Sequence, residues 1–278
     1  MASSEFLENY KLAGPVLRKL YDSGLRMAIL NALKDGPMRL ADLKRVVDAN
    51  APNTSTKAKD LETIGLVTRE GGEFKLADWG LTILGSLEDE IKIFTTYIKF
   101  KGYWDSHTIE GIPQQFRKRL GAYSTAELIK PKPDDIDWPD RNFINLVRTV
   151  KKRFWGVTSV FREEYLPPVL EIAERGADVR IAIEESIVPA IMKVMPKEAI
   201  PHLSQLKNLK FFILHEKPYL GIDVGDDFCT LGLKSKTDSS TYMDMNIVSR
   251  DPDCLAFHEE MIHYFLKKAH HLNFSDYL

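Results

Sequence analysis

The sequence is poor in cysteine, with only Cys229 and Cys254 in 278 residues. Two cysteines point to a reducing compartment and no disulfide framework, their lack of CxxC spacing argues against a zinc or redox centre, and both are expected to be buried as small apolar groups. No apolar run reaches the ~18 residues of a membrane span. Residues Met1 to Tyr10 lack the basic and apolar regions of a signal peptide. The expected location is therefore cytoplasmic, with no membrane partner. Neither sign of charge dominates: 38 Lys+Arg face 40 Asp+Glu, a formal net charge of −2, so any nucleic-acid surface must be local. No Gly-rich loop opens a helix, which excludes the Walker and Rossmann types of nucleotide site. No cofactor, no metal and no catalytic residue is expected. What is present is 44% hydrophobic residues, enough to build a sizeable core in one large or two ordinary domains.

The N-terminal stretch carries the most information. Asp22 or Ser23 can cap a helix running to about Lys34, with Leu25, Ile29, Leu30 and Leu33 on its buried face and Gly36-Pro37 as its stop. A second helix is expected from about Arg39 to Ala49, with Leu40, Leu43, Val46 and Val47 as its stripe. Asn50-Ala51-Pro52-Asn53 reads as a turn. A third helix is expected from about Thr54 to Ile64, with Ala58, Leu61 and Ile64 inward and Ser55, Thr56, Lys59 and Thr63 outward. Val67-Thr68-Arg69-Glu70-Gly71-Gly72-Glu73-Phe74-Lys75-Leu76 reads as a two-stranded ribbon with a Gly-Gly tip. Three helices followed by such a ribbon make a winged helix-turn-helix, and residues 1–84 are assigned to it.

The outward side of the third helix points to DNA. Small hydroxyl residues let a helix approach a groove closely, and a helix N-terminus favours phosphate. The candidate DNA-binding residues are Arg39, Lys44, Arg45, Asn53, Ser55, Thr56, Lys57 and Lys59, with Arg69 and Lys75 of the wing near the phosphates of an adjacent groove. The segment is only mildly basic, with 12 Lys+Arg against 11 Asp+Glu over residues 1–84, which implies modest non-specific affinity. The run Ser55-Thr56-Lys57-Ala58-Lys59-Asp60-Leu61-Glu62-Thr63-Ile64-Gly65-Leu66-Val67 resembles the recognition helix and wing entry of winged-helix regulators of bacteria and archaea.

Residues 85–120 read as a connecting helical segment, strongly apolar through Leu84, Leu87, Ile91, Phe94 and Ile98 and the aromatics that follow. Such a helix either packs under the wing or pairs with a copy of itself, and a homodimer is expected because DNA readers gain two half-sites that way. The segment Tyr103-Trp104-Asp105-Ser106-His107-Thr108-Ile109-Glu110-Gly111-Ile112-Pro113 then resembles one archaeal family, the methanogenesis and filament-length regulators. The resemblance continues through Gly156–Phe161, Glu174–Arg180 and Leu231-Gly232-Leu233. It implies a transcription regulator whose winged helix is joined to a sensor domain.

Residues 121–278 alternate strands and helices. Strands are expected at 126–130, 154–161, 179–183, 209–214, 219–224 and 228–233, and helices at 141–151, 163–175, 187–195 (ending at Pro196) and 252–271. The pattern predicts an α/β domain on a mixed sheet, partly parallel and covered on both faces, with antiparallel hairpins at one edge. The overall class is thus α+β with an α/β C-terminal domain.

His215-Glu216-Lys217-Pro218-Tyr219-Leu220-Gly221-Ile222-Asp223 resembles the His-x-Lys motif of the phospholipase D superfamily, but with one residue too many before Asp223 and no second His-x-Lys in the chain. That chemistry needs one His to attack and another to protonate the leaving group. The resemblance implies a phospholipase-D-like fold used as a sensor, its pocket near His215 and Lys217; Trp104 and His107 are further candidates to line it. His258 and His263 lie five apart, so they do not share a helix face as a metal pair would, and are expected solvated or at the core edge.

The expectation is a dimeric regulator of promoter DNA, controlled by a small-molecule effector in the C-terminal domain. Two alternatives stay open: a phosphodiesterase with a DNA-targeting head, and a winged helix that docks protein instead of DNA.

Overall fold

A computed structural model describes residues 2–195, 198, 200–236 and 242–273. The chain divides into two compact units, Met1–Glu90 and Ile91–Leu278. Residues 85–120 are shared between them.

The first unit opens with α1 (Ala2–Tyr21), which the sequence reading did not anticipate. Ser23 caps α2 (Gly24–Ala32), its hydroxyl accepting from Arg26 N–H. A single 3₁₀ turn, Leu33–Asp35, and Gly36 then end that helix, as expected. Met38–Arg39 form a short strand, β1, antiparallel to Phe74 and Glu73. The pairing delays α3 to Leu40–Val46, shorter than the expected 39–49. α4 runs Ala51–Thr63, so the expected turn at 50–53 is its first turn. Asn50 is the cap, accepting from Asn53 N–H at 2.9 Å, and Pro52 is tolerated because a first-turn N–H has no helical partner. β2 (Val67–Glu70) and β3 (Glu73–Leu76) form the wing. Its tip, Gly71-Gly72, has φ of 56° and 87°, the pair of positive values that a tight two-residue hairpin demands. The sheet order β1-β3-β2 gives the wing one strand more than the sequence indicated. Ile29, Leu30, Leu43, Leu61 and Phe74 are buried together at the centre. α5 follows, from Asp78 to Lys99.

The second unit starts with short helices, α6 (Lys101–Ser106) and α7 (Gln114–Arg117). The remaining elements are β4 (Glu127–Ile129), α8 (Trp138–Thr149), β5 (Arg153–Thr158), α9 (Leu166–Glu174), β6 (Asp178–Glu184), α10 (Val188–Val194) and α11 (Ile200–Leu203). They are followed by β7 (Leu209–Leu214), β8 (Leu220–Val224), β9 (Cys229–Lys234), β10 (Tyr242–Ser249), α12 (Pro252–Leu266) and β11 (His270–His271). The expected helix stop at Pro196 lies outside the described residues. The eight strands order as β11-β7-β6-β5-β8-β9-β10-β4. β5, β6 and β7 are parallel, joined by helical crossovers, and the rest are antiparallel. This is the mixed sheet that alternating strand and helix patterns imply.

Two strands correct the reading. β10 is eight residues that were not expected to form a strand. The last helix stops at Leu266, because His270 and His271 pair with Ile213 and Phe212 on the sheet edge instead of continuing it.

Period-two alternation sends the two faces of the sheet to different cores. Leu220, Ile222 and Val224 of β8, with Leu231 of β9, pack with Phe257 and Ile262 of α12. Gly221 and Asp223 of β8 point to the opposite face. There Phe154, Ile181 and Phe211 pack with Val169 of α9 and Ile191 of α10. Among the described residues no helix is long and apolar enough to cross a membrane.

Candidate functional site

Two places carry candidate chemistry, one in each unit. In the first unit, α4 is anchored by Thr54, Ala58 and Leu61, all buried, at the i, i+4, i+7 spacing of one helix side. That anchoring turns Pro52, Thr56, Lys59 and Thr63 outward as a ridge, all exposed. Thr56 and Thr63 donate their hydroxyls to the carbonyls of Pro52 and Lys59 at 2.9 and 2.8 Å, which fixes their rotamers and leaves each oxygen free to accept. Lys59 makes no ion pair among the described residues. The N-terminus of α4 offers phosphate little, since Pro52 has no N–H and Asn53 N–H is held by the Asn50 cap.

The other candidate cations are mostly spoken for. Arg39 pairs with Glu73 at 3.4 Å, Arg45 with Asp42 one turn before it, Lys57 with Asp60 at 4.0 Å and Lys75 with Glu70 at 2.7 Å. Arg26 also bonds Asp60, through both Nε and a terminal nitrogen, and holds that carboxyl below the usual range. Exposed pairs of this kind are worth about 0.2–1 kcal/mol, so phosphate can draw such a cation away at small cost. Lys44, Asn53 and Arg69 are exposed and Ser55 is half-buried. Arg69 stands over the Phe74 ring, 5.1 Å from its centre. Arg69 pairs across the ribbon with Phe74 and Lys75 pairs with Thr68, so the two wing cations leave opposite faces.

In the second unit, the four residues expected near an effector do not form one site. His215 and Lys217 line an open depression of about 520 Å³ with Tyr219, Tyr264 and Lys268. Each faces a carboxylate: His215 Nδ1 is 2.8 Å from Glu185, and Lys217 Nζ is 3.6 Å from Glu184. Asp223, the acid of the His-x-Lys resemblance, does not line it. Trp104 and His107 lie apart from the depression. Trp104 donates to the Thr96 carbonyl at 3.2 Å, and the buried His107 stacks on Tyr103 with Nε2 2.8 Å from Asp244.

One buried cluster was hidden by sequence separation. Cys229 and Cys254 bring their sulfurs to 3.5 Å, and His258 follows Cys254 by one turn of α12. The ligand atoms of all three lie within 4.8 Å of one another. His258 is fully buried, which corrects the expectation of a solvated or core-edge residue. Its Nδ1 faces the Asp223 carbonyl at 3.2 Å, which requires N–H there, and its Nε2 faces the Tyr123 hydroxyl at 2.7 Å, which it accepts. Both ring nitrogens of His258 are thus engaged within the core. The hydrogen bond to Cys254 and burial hold the Cys229 thiol well above its ordinary range. The cluster is a satisfied core contact.

On the other side of the same strand lies a feature that the sequence reading missed. Asp223 opens into a cavity of about 80 Å³ between the sheet and helices α8, α9 and α10. Burial pushes its carboxyl up to about 7, offset only in part by the Thr230 hydroxyl, which donates at 2.9 Å. The register explains the space. Gly221 lies opposite Gly232, and Asp223 lies between Gly156 and Thr230. Gly221 and Gly232 leave the sheet bare under the cavity, while the Asp223 carboxylate covers Gly156. At Gly156 a Cβ would come within 2.3 Å of Asp223 Oδ1, so any larger residue would push the acid from its place.

Comparison with known proteins bears on both units. No curated protein matches the sequence. Among solved structures, TrmBL2, described as an archaeal chromatin protein with a novel mode of DNA binding, aligns with a TM-score of 0.42 at 14% identity, over 93% of this chain and 98% of its own. NucT from Helicobacter pylori aligns with a TM-score of 0.41 at 15% identity, over 53% of this chain and 98% of its own. The phosphatidylserine synthase of Haemophilus influenzae Rd KW20 aligns at 0.40 and 11%, over 54% of this chain and 40% of its own. Likenesses this low carry no argument about this chain. The family profiles do: residues 15–94 match the N-terminal domain, and residues 136–268 the middle domain, of the methanogenesis regulatory protein FilR1. With both domains matched in order, over some three quarters of its length, the chain belongs to the FilR1 family of regulatory proteins.

Proposed function

We propose that this protein is a cytoplasmic transcription regulator that binds promoter DNA as a homodimer, under the control of a small-molecule effector held in its α/β domain. The observation that carries the DNA reading is the ridge of α4. Thr56, Lys59 and Thr63 stand outward on a helix whose inner side is locked by Ala58 and Leu61. A ridge of short hydroxyl side chains around one unpaired lysine suits a groove better than a solvated enzyme surface. The wing then grips backbone through Arg69 or Lys75. Candidate contacts are Arg39, Lys44, Arg45, Asn53, Ser55, Thr56, Lys57 and Lys59.

The dimer reading rests on exposed apolar surface. Phe6, Leu7, Tyr10 and Leu12 of α1 are at least half exposed, and Phe94 and Ile98 of α5 are 56% and 71% exposed. Large apolar groups left open on two helices are what a second copy would cover. An effector that binds one arrangement of the sensor domains better shifts the dimer toward it, and so changes the spacing of the two recognition helices.

A specific observation keeps the protein-docking reading in view: four of the basic side chains are paired with acids of the same unit. Selection of genomic fragments by the purified full-length protein, followed by sequencing, separates the two. Enrichment of one sequence class, lost with Thr56→Ala and Lys59→Ala together, supports DNA readout. Absence of any enriched sequence overturns it in favour of a protein partner.

A further inference from the structure

We infer that the cavity over Gly221 and Gly232 is a binding site for a small organic cation, an amine with a short apolar tail, whose ammonium group pairs with Asp223. The inference rests on the effector reading above and gives that effector a place and a chemical class.

The argument starts from what Asp223 lacks. Among the described residues its carboxylate takes one hydrogen bond, from Thr230 Oγ1 at 2.9 Å, and no ion pair. Arg162, next in sequence to the cavity-lining Phe161, is committed to Asp140 at 2.9 Å. Tyr165 lines the cavity, but it also gives its hydroxyl proton to Asp140. A carboxylate in an apolar setting without a cation is costly, and proteins remove that cost by pairing or by protonation. An ammonium entering the cavity supplies the missing charge and up to three donors, and Asp223 Oδ1, which takes no hydrogen bond among the described residues, can accept one.

The walls decide the rest of the ligand. Phe143, Phe154, Phe161, Ile183 and Phe211 surround the acid, so whatever follows the cationic head is apolar. Two details argue that the space is built. Paired glycines at Gly221 and Gly232 remove both side chains that would have filled it, beside the paired Asp223 and Thr230. A strand glycine in a core weakens the strand, so two facing each other next to a buried acid mark a close approach by something else. The volume of about 80 Å³ also fits, since a single water needs roughly 10–15 Å³ and the cavity therefore holds a chain of several heavy atoms. His215 and Lys217 take no part in it.

The test uses the full-length protein and three probes of equal length: n-hexylamine, n-hexanol and n-hexanoate. Titration calorimetry at neutral pH is expected to show one hexylamine per chain, bound about tenfold or more tighter than hexanol, with hexanoate weakest. Asp223→Asn keeps the volume and removes the charge, and the preference for amine over alcohol should disappear. Should that variant fail to melt cooperatively, Val160→Trp, which fills the cavity from its loop side, should abolish hexylamine binding with Asp223 intact. Hexanoate binding as tightly as hexylamine, or hexylamine binding unchanged in both variants, overturns the site. Amine binding here without any change in DNA affinity leaves the site standing and removes the effector reading. DNA binding without any amine binding removes the site and leaves the DNA reading.

Discussion

Asp223 is the residue with the sharpest physical signature. Its carboxyl is raised to about 7 by burial, with Thr230 and the Tyr165 phenol as the titratable or hydrogen-bonding neighbours that face it. A carboxyl whose folded value lies above the unfolded one contributes stability at low pH. That contribution is complete below the ordinary 3.8 and is lost as the pH rises through about 7. The unliganded protein should therefore lose on the order of 4 kcal/mol of unfolding free energy from this group across that window. Denaturant unfolding of wild type and Asp223→Asn at about pH 5 and about pH 8 checks it: the Asn variant should be the flatter, and the more stable at the higher pH. An equal pH slope in both would contradict it. Little of this was visible in the sequence, where Asp223 appeared only as a displaced catalytic acid. Its surroundings come from Gly156, Tyr165 and the β9 pair Thr230 and Gly232, on three other segments that meet only through the register of the sheet. His258 was misread for the same reason, since its partners Tyr123 and Asp223 are distant in sequence.

At the level of elements, the winged helix was readable because its signals are local. Ser23 caps, Gly36-Pro37 stops, and Gly71-Gly72 turns, each by its own chemistry. The tip is testable: Ala at position 71 or 72 must adopt a positive φ, at about 1–2 kcal/mol each, and should loosen the wing. Faster amide exchange across Val67–Leu76, with α4 unchanged, is the expected readout. Asn50→Ala should cost about 1 kcal/mol by freeing the Asn53 N–H, and a matching drop in the denaturant midpoint of the first unit checks it. The elements that escaped the reading lack such signals. α1 leaves residues 4–13 exposed and carries Pro15, so its apolar residues there form no buried stripe. β10 mixes Asp244 and Asn246 into its alternation, and β11 is two histidines held only by pairing with β7. Tertiary pairing, which no local pattern encodes, made both.

In the whole molecule, the proposed function joins a reader to a sensor through association of two copies. Phe94→Asp with Ile98→Asp places two charges on open apolar surface of α5. Light scattering should then report a monomer where wild type is a dimer, with the cooperative melt retained; a wild type that is already monomeric at micromolar concentration would contradict the dimer. The family assignment makes the protein a regulator, and the ridge of α4 says how it would meet its target. The most direct measurement is therefore the affinity of the full-length protein for a duplex carrying its own upstream region, followed by fluorescence anisotropy over a range of salt. The account predicts that log K falls linearly with log salt, and that Lys59→Ala lowers the affinity and makes the slope shallower by about one. Affinity and slope that are the same for wild type, Lys59→Ala and Thr56→Ala would contradict it.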